Sequence, residues 1–78
     1  MIVYKLKHVE IRLARHRPGG FQMTTQIAPG VPNVRDDLSA YEVASLIINK
    51  PEGASKELER LAKSPRPIMP VIHYLDML

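Results

Sequence analysis

The chain has 78 residues, no cysteine and no tryptophan, and its formal net charge at pH 7 is +3. We expect one small domain spanning residues 1–78, near the lower size limit for independent folding. The missing cysteines exclude disulfides and cysteine-based zinc sites, and they fit a cytoplasmic protein. We expect no membrane span, because the longest uncharged apolar run is far short of the ~20 residues that cross a bilayer.

The positive charge is concentrated near the N-terminal end. Residues 1–19 contain five of the eleven Lys and Arg residues but one of the eight acids, Glu10, which gives this stretch a net charge of +4. The other residues are net −1. A localised basic patch favours an anionic partner. The five cations are Lys5, Lys7, Arg12, Arg15 and Arg17.

Residues 2–14 fit two periodicities. Apolar residues alternate in two sets that are out of phase, so a continuous strand needs a bulge near Lys7-His8. A helix is the alternative, with Ile2, Leu6, Val9 and Leu13 on one face. We favour a strand because the segment is rich in β-branched residues. Residues 21–27 alternate again after Pro18-Gly19-Gly20, which predicts an antiparallel hairpin with its turn near residues 15–20.

Residues 28–33 are predicted to be a loop, because two prolines and a glycine oppose a regular ladder or helix. Asp36 and Asp37 are expected to precede a helix and oppose its positive end. That helix is predicted over residues 40–49. Its start is marked by the capping box of Ser39 and Glu42, and by Leu38 and Val43 as a hydrophobic staple.

Three aliphatic residues are expected to face inward from this first helix, namely Val43, Leu46 and Ile47. Tyr41 is a further candidate for the inward face. Pro51 is expected to stop the helix, because the residue before a proline avoids helical geometry. A second helix is predicted over about residues 54–64, with Glu59 and Lys63 as a favourable i,i+4 pair.

The apolar segment from Ile68 to Leu78 has two interpretations. A strand over residues 68–75 would support the hairpin as a third strand, since two strands alone are marginally stable. A short helix starting at Pro70 would place Val71, Tyr74, Leu75 and Leu78 on one face. We favour the strand. The predicted fold class is therefore α+β, with an N-terminal antiparallel hairpin, two short helices and a C-terminal apolar segment that adds a third strand.

The residues Leu38-Ser39-Ala40-Tyr41-Glu42-Val43-Ala44-Ser45-Leu46-Ile47 resemble the first helix of bacterial helix-turn-helix modules. The resemblance covers about ten residues and implies DNA binding. The chain departs from that pattern afterwards, because residues 48–53 are longer than the usual 3–4-residue turn and contain a proline. The next helix is also near neutral, where a recognition helix is usually basic or rich in amides.

No catalytic, metal or cofactor site is expected. The chain has no thiol, and Gly19-Gly20 lacks the Lys-Ser/Thr of a phosphate-binding loop. His8, His16 and His73 do not have metal-ligand spacing. A ribonuclease built on His16 and neighbouring arginines is the enzymatic alternative, but no second group fixes such a site. We therefore expect a protein that is not an enzyme.

The predicted partner-binding residues are the cations of the N-terminal hairpin together with one histidine: Lys5, Lys7, Arg12, Arg15, His16 and Arg17. They are expected to gather at the hairpin tip and on one exposed face. The sequence favours a small binding or regulatory protein that acts by occupancy on an acidic protein surface, like compact phage- or plasmid-encoded inhibitors and adaptors. The alternative is direct nucleic-acid binding by a transcription or replication regulator. A homodimer is a further expectation, because 45% of the residues are apolar in a very small chain.

Overall fold

An antiparallel sheet and three helices form the fold, as seen in a computed structural model that describes residues 1–15, 20–28 and 30–78. The strands are β1 (Ile2–Lys5), β2 (Val9–Leu13), β3 (Phe21–Ala28) and β4 (Val31–Leu38), and they pair in the order β1-β2-β3-β4. The helices are α1 (Ala40–Asn49), α2 (Lys56–Ala62) and α3 (Ile68–Asp76), with a 3₁₀ turn at Pro51–Gly53. The α+β class is confirmed.

Residues 2–13 form a hairpin of their own, where the sequence suggested a single strand with a bulge near Lys7-His8. Leu6 and Val9 exchange backbone hydrogen bonds of 2.8 and 3.4 Å around that dipeptide. The bulge lies instead in β1, between Ile2 and Tyr4. An extra residue at this point allows the consecutive residues Val3 and Tyr4 both to be buried. The turn also explains why the alternating apolar residues form two sets that are out of phase, because the sets lie on separate strands, β1 and β2.

The predicted hairpin between residues 9–13 and 21–27 is confirmed as β2 and β3. Val9 pairs with Thr25, and Leu13 pairs with Phe21. This register places Ile11 and Phe21, both fully buried, on one face of the sheet. The predicted turn near residues 15–20 falls mainly on residues 16–19, which lie outside the described residues.

Strand β4 was missed, because residues 28–33 were predicted as a loop. Gly30 has φ of +82° and reverses the chain between β3 and β4, a conformation that glycine adopts without a Cβ clash. Pro32 then pairs with Gln26 inside the ladder. A proline is tolerated here because β4 is an edge strand whose outer side has no partner in the sheet. Asp36 and Asp37 precede α1 as expected, but they do so from within this strand.

Helix α1 has the predicted bounds, and its capping box is half formed. The Ser39 hydroxyl accepts a hydrogen bond of 3.2 Å from the backbone N–H of Glu42. The Glu42 carboxylate lies 3.1 Å from Arg35 Nη2 on β4. Glu42 therefore connects the start of α1 to the sheet as an ion-pair partner.

The inward face of α1 differs from the prediction at two positions. Val43 and Ile47 are buried as expected, and Ala44 joins them. Tyr41 is 63% exposed and Leu46 is 36% exposed, so neither belongs to the core. The true inward stripe is narrower than the apolar content of the helix suggests.

Helix α2 is shorter than predicted, because Ser55 caps it by accepting from the N–H of Leu58 at 3.3 Å. The residues before it form the 3₁₀ turn, and Ala54 bridges to Tyr4 on β1. The expected i,i+4 pair is present, with Lys63 Nζ 2.9 Å from Glu59 Oε1. The turn and Ala54 therefore attach the helical layer to the edge of the sheet.

The C-terminal segment is a helix, so the prediction of a third strand at residues 68–75 is wrong. Val71 and Leu75 are buried, and they share one face at the i,i+4 spacing of a helix. Pro70 is the third helical residue, where its missing N–H would have no helical partner. The strand interpretation also lost its physical basis, since β1 and β4 already give the hairpin two further strands.

The core lies between one face of the sheet and the three helices. It joins Ile11, Phe21 and Leu38 from the strands to Val43 and Ile47 from α1, and it continues into α2 and α3. Among the described helices, none has the length and hydropathy that crossing a bilayer requires. None of the three described helices lies against the opposite face of the sheet, and this leaves its side chains available for contacts.

Candidate functional site

The face of the sheet that points away from the helices is the candidate site. Successive side chains of a strand point to opposite faces of the sheet. Ile11 is buried, so Glu10 and Arg12 on either side of it point outward. The register carries this face across the sheet, because Glu10 pairs with Lys5 and Thr24, and Arg12 pairs with Gln22. We call this surface the basic sheet face, defined by Lys5, Lys7, Glu10, Arg12, Gln22, Thr24 and Gln26.

An open depression of about 490 Å³ lies on the basic sheet face. Besides the seven defining residues, its walls include Leu6, His8 and Val9. Three cations and three uncharged polar side chains therefore share the space with one carboxylate. The strands hold these groups at fixed spacing, because the backbone ladder restricts each side chain to one position along β1, β2 or β3.

Glu10 organises the charges of this face. Its carboxylate lies 3.9 Å from Lys5 Nζ and accepts a hydrogen bond from Arg12 Nε. The Glu10 side chain is 24% exposed, whereas those of Lys5 and Arg12 are 66% and 57% exposed. Both cations therefore keep most of their surface in water while the acid between them restrains their side chains.

The predicted partner-binding residues are only partly brought together. Lys5, Lys7 and Arg12 line the depression. Arg15 lies beyond the far end of β2, in a second open depression of about 400 Å³ that also includes Arg12. Because β2 has five residues, Lys7 and Arg15 are separated by at least about 14 Å of strand.

The expected gathering of charge at the hairpin tip stays a prediction, because His16 and Arg17 lie outside the described residues. Lys7 belongs to the turn between β1 and β2, whereas Arg15 is at the opposite end of β2. Among the described cations of the predicted set, Lys5, Lys7 and Arg12 share one open depression.

Sequence reasoning missed the uncharged half of the site. Gln22, Thr24 and Gln26 lie on β3 beside the cations, and they supply amide and hydroxyl groups that both donate and accept hydrogen bonds. Gln22 Nε2 also donates to Asp36 Oδ1 at 2.6 Å, so the polar surface continues onto β4. The alternation of these residues with Phe21 and Met23 was the available signal.

His8 is the one ring side chain in the lining of this depression, which contains no Phe, Tyr or Trp. Tyr4 and Phe21, the two aromatic residues nearest to the cations in sequence, are 3% and 0% exposed. The Tyr4 hydroxyl donates a 2.6 Å hydrogen bond to the carbonyl of Lys50. Burial, and secondly the negative charge of Glu52, raise the pKa of Tyr4 above its usual value. The ring is thus part of the core.

The chemistry available on the basic sheet face is charge pairing and hydrogen bonding. Within residues 1–15, 20–28 and 30–78, no three His, Cys, Asp or Glu side chains come close enough together to hold a metal ion. A preformed polar face of this kind suits recognition of another surface. No protein-family model, curated protein or solved structure matches this chain, so its own residues are the basis for any statement about function.

Proposed function

We propose that this protein is a non-enzymatic, cytoplasmic binding protein, an inhibitor or adaptor, that acts by occupancy when its basic sheet face docks on an acidic protein surface. The observation that supports the proposal is the convergence of Lys5, Lys7 and Arg12 on one open depression with a single carboxylate, Glu10. A depression with that charge balance attracts carboxylates and steers their approach.

The cations of this face are free to change partners at little cost to the fold. Exposed ion pairs such as Lys5–Glu10 contribute only about 0–1 kcal/mol to stability. Glu10 nevertheless restrains both cations, so less side-chain freedom is lost when a partner's carboxylate arrives.

The uncharged side chains favour a protein partner over a nucleic acid. Gln22, Thr24 and Gln26 can each bond to backbone or side-chain groups of either polarity. Proteins that bind single strands without sequence preference use exposed aromatic side chains as stacking platforms, and Tyr4 and Phe21 are buried. An acidic protein surface offers both the carboxylates and the mixed hydrogen-bonding groups that this face complements.

The test is affinity capture with two charge variants. The first variant removes three cations from the face: Lys5→Ala, Lys7→Ala and Arg12→Ala. The control removes the same formal charge from exposed cations on the helical side: Lys50→Ala, Lys56→Ala and Arg66→Ala. We expect the face variant to lose affinity for the captured protein at least tenfold, since steering by clustered charge changes association rates by about 10–10³. The control variant is expected to bind like wild type.

Direct nucleic-acid binding is the competing outcome, and a gel shift with random duplex and single-stranded DNA detects it. Non-specific binders shift DNA at micromolar protein and ~50 mM salt, with log K falling by about 0.9 per neutralised phosphate as log salt rises. A shift that the face variant abolishes would replace the protein partner with a nucleic acid. Equal capture by the face variant and wild type would show that these cations only solvate the surface.

A further inference from the structure

Exposed apolar residues border two open depressions of the molecule, one of which lies on helix α3. Met69 and Met77, at either end of α3, are 68% and 74% exposed, and with Leu61, Pro70, His73 and Tyr74 they line an open apolar groove. Tyr74 also borders a second depression, lined in part by Met1, Ile2 and Leu78. Tyr74 is the one residue that the two linings share.

Five of the nine exposed large hydrophobic residues in the described parts of the chain line one or the other of these depressions: Met1, Ile2, Met69, Met77 and Leu78. Single exposed apolar residues are ordinary in monomers, but Met69 and Met77 share one apolar groove, and a shared groove of this kind marks a contact site. We call the part on α3, made of Met69, His73 and Met77, the methionine stripe.

The methionine stripe points away from the core. Val71 faces the interior, and Met69 and His73 are each two residues from it, which is about 200° around the helix. Met77 continues the stripe, since its N–H bonds to the Tyr74 carbonyl at 3.2 Å and prolongs the helical path. The stripe is therefore on the outer surface of the helical layer.

The spacing of the stripe is self-complementary. Met69 and Met77 are each four residues from His73, so a two-fold axis at His73 brings Met69 of one chain onto Met77 of another in an antiparallel helix pair. An isologous contact requires this kind of match, in which the same patch serves both copies. We propose that the protein forms a symmetric homodimer in which the methionine stripe of α3 packs against the same stripe of a second copy.

The free edge of the sheet is the competing surface for self-association, and its residues oppose that role. Strand β4 is exposed from Val31 to Asp37, but Pro32 has no N–H to offer. Arg35 and Asp36 add charge, and the register shift between Phe21 and Met23 adds a bulge beside Asp36. Proline, charge and bulges are the features that keep edge strands from pairing. The α3 surface has no Lys or Arg in its stripe.

The surface is small, so the dimer is expected to be weak. A contact made mainly by α3 and its neighbours falls at the low end of specific interfaces, below roughly 1,200 Å² in total. For a weak contact of this size we expect a dissociation constant on the order of 100 μM. Two flexible methionine side chains per copy suit such a contact, since they adapt to an opposing surface with little strain.

Methyl NMR of the full chain with labelled methionines tests the proposal directly, because the sequence has only four methionines. Raising the concentration from about 20 μM to about 1 mM, which brackets the expected dissociation constant, should shift Met69 and Met77. Met23, on the covered face of the sheet, should stay unchanged. A contact between the methyls of Met69 and Met77 is diagnostic, since eight helical residues separate them by about 12 Å within one chain.

Sedimentation of three variants completes the test. Met69→Lys and Met77→Lys should each weaken self-association at least tenfold, while Tyr41→Lys, at an exposed position on α1, should leave it unchanged. A protein that stays monomeric at about 1 mM would overturn the proposal, as would a dimer with no Met69–Met77 contact or one that survives both methionine variants. The concentration series on the unaltered chain decides the question even if a variant fails to fold.

Discussion

Gly53 is the position where the structure predicts the sharpest effect of adding a single methyl group. It ends the 3₁₀ turn that lies against β1, and a Cβ there would be 2.6 Å from the carbonyl oxygen of Lys5 and 2.8 Å from its carbonyl carbon. Both atoms are backbone, so no side chain can rotate away. Gly53→Ala must separate the turn from the strand until the contact exceeds 3.0 Å.

The expected cost follows from two opposing terms. Overpacking of this kind costs about 1–3 kcal/mol. Replacing glycine by alanine also removes freedom from the unfolded chain, which stabilises the folded state by about 0.4–1 kcal/mol. We therefore expect Gly53→Ala to lower the free energy of unfolding by about 1–2 kcal/mol. For a domain of this size that lowers the Tm by roughly 4–16 °C.

Chemical denaturation followed by circular dichroism gives the free energy, and amide exchange locates the damage. Faster exchange in Gly53→Ala should appear around Tyr4 and Ala54, because their bridge joins the turn to β1. Gly30→Ala is the matched control. Its Cβ meets nothing within 4 Å, but φ of +82° strains any side chain, so its effect should stay in the turn between β3 and β4. Unchanged stability of Gly53→Ala would refute the close packing of turn and strand.

Two further predictions concern single hydrogen bonds. Burial, and secondly Glu52, raise the pKa of Tyr4, so the tyrosine ionises more easily in the unfolded chain than in the folded one. The stability that the protonated Tyr4 contributes is therefore fully present below about pH 10 and is lost at higher pH. Tyr4→Phe should lose about 1–2 kcal/mol, because the Lys50 carbonyl loses its hydrogen bond from the tyrosine hydroxyl. Between about pH 8 and 11, its free energy of unfolding should also decline less steeply than that of wild type. An equally steep decline would assign the alkaline loss to other groups. Ser39→Ala should lower the free energy of unfolding by about 1 kcal/mol, measured by urea denaturation, because it removes the cap of α1. Ser39→Asp should restore the lost stability, since aspartate also caps helices. Unchanged stability of Ser39→Ala would mean that the Arg35–Glu42 pair alone holds the start of the helix.

Local signals explain which elements were predictable. Helix α1 was located from the sequence because its start depends on Ser39 and its end on Pro51, both within a few residues of the boundary. Strand β4 gave no such signal. An edge strand that is exposed from Val31 to Asp37 needs no alternation, and its proline is tolerated only because a sheet places nothing beyond it.

The C-terminal helix was misjudged for a different reason. A short apolar run has nearly the same composition as a buried strand or a buried helix, so periodicity alone does not separate them. Val71 and Leu75 fit the helix, but the choice depended on how many strands the hairpin already had. That number includes β4, which the sequence did not reveal. The number also includes β1, which was interpreted as one strand with β2, so two unrecognised edge strands produced the second error.

The candidate site was half predictable for a related reason. Composition identifies Lys5, Lys7 and Arg12 as an excess of positive charge, but only the turn at Lys7-His8 brings the two strands side by side. The same turn places Arg15 at the other end of β2, away from Lys7. Charge could therefore be counted from the sequence, whereas its division between two ends of the sheet depends on a hairpin that was interpreted as one strand.

The two proposed contacts use opposite sides of the molecule, and this has a functional consequence. The basic sheet face lies on the bare side of the sheet, and the methionine stripe lies on the outside of the helical layer, so neither blocks the other. A dimer joined through Met69 and Met77 would present two basic sheet faces, pointing away from each other. On an acidic partner with repeated sites, the second face would bind at the high local concentration set by the first, which raises the overall affinity without any new contact. A weak dimer would then respond to its partner, because binding two faces at once favours the paired state. Substituting the methionines should weaken that binding although it removes no positive charge.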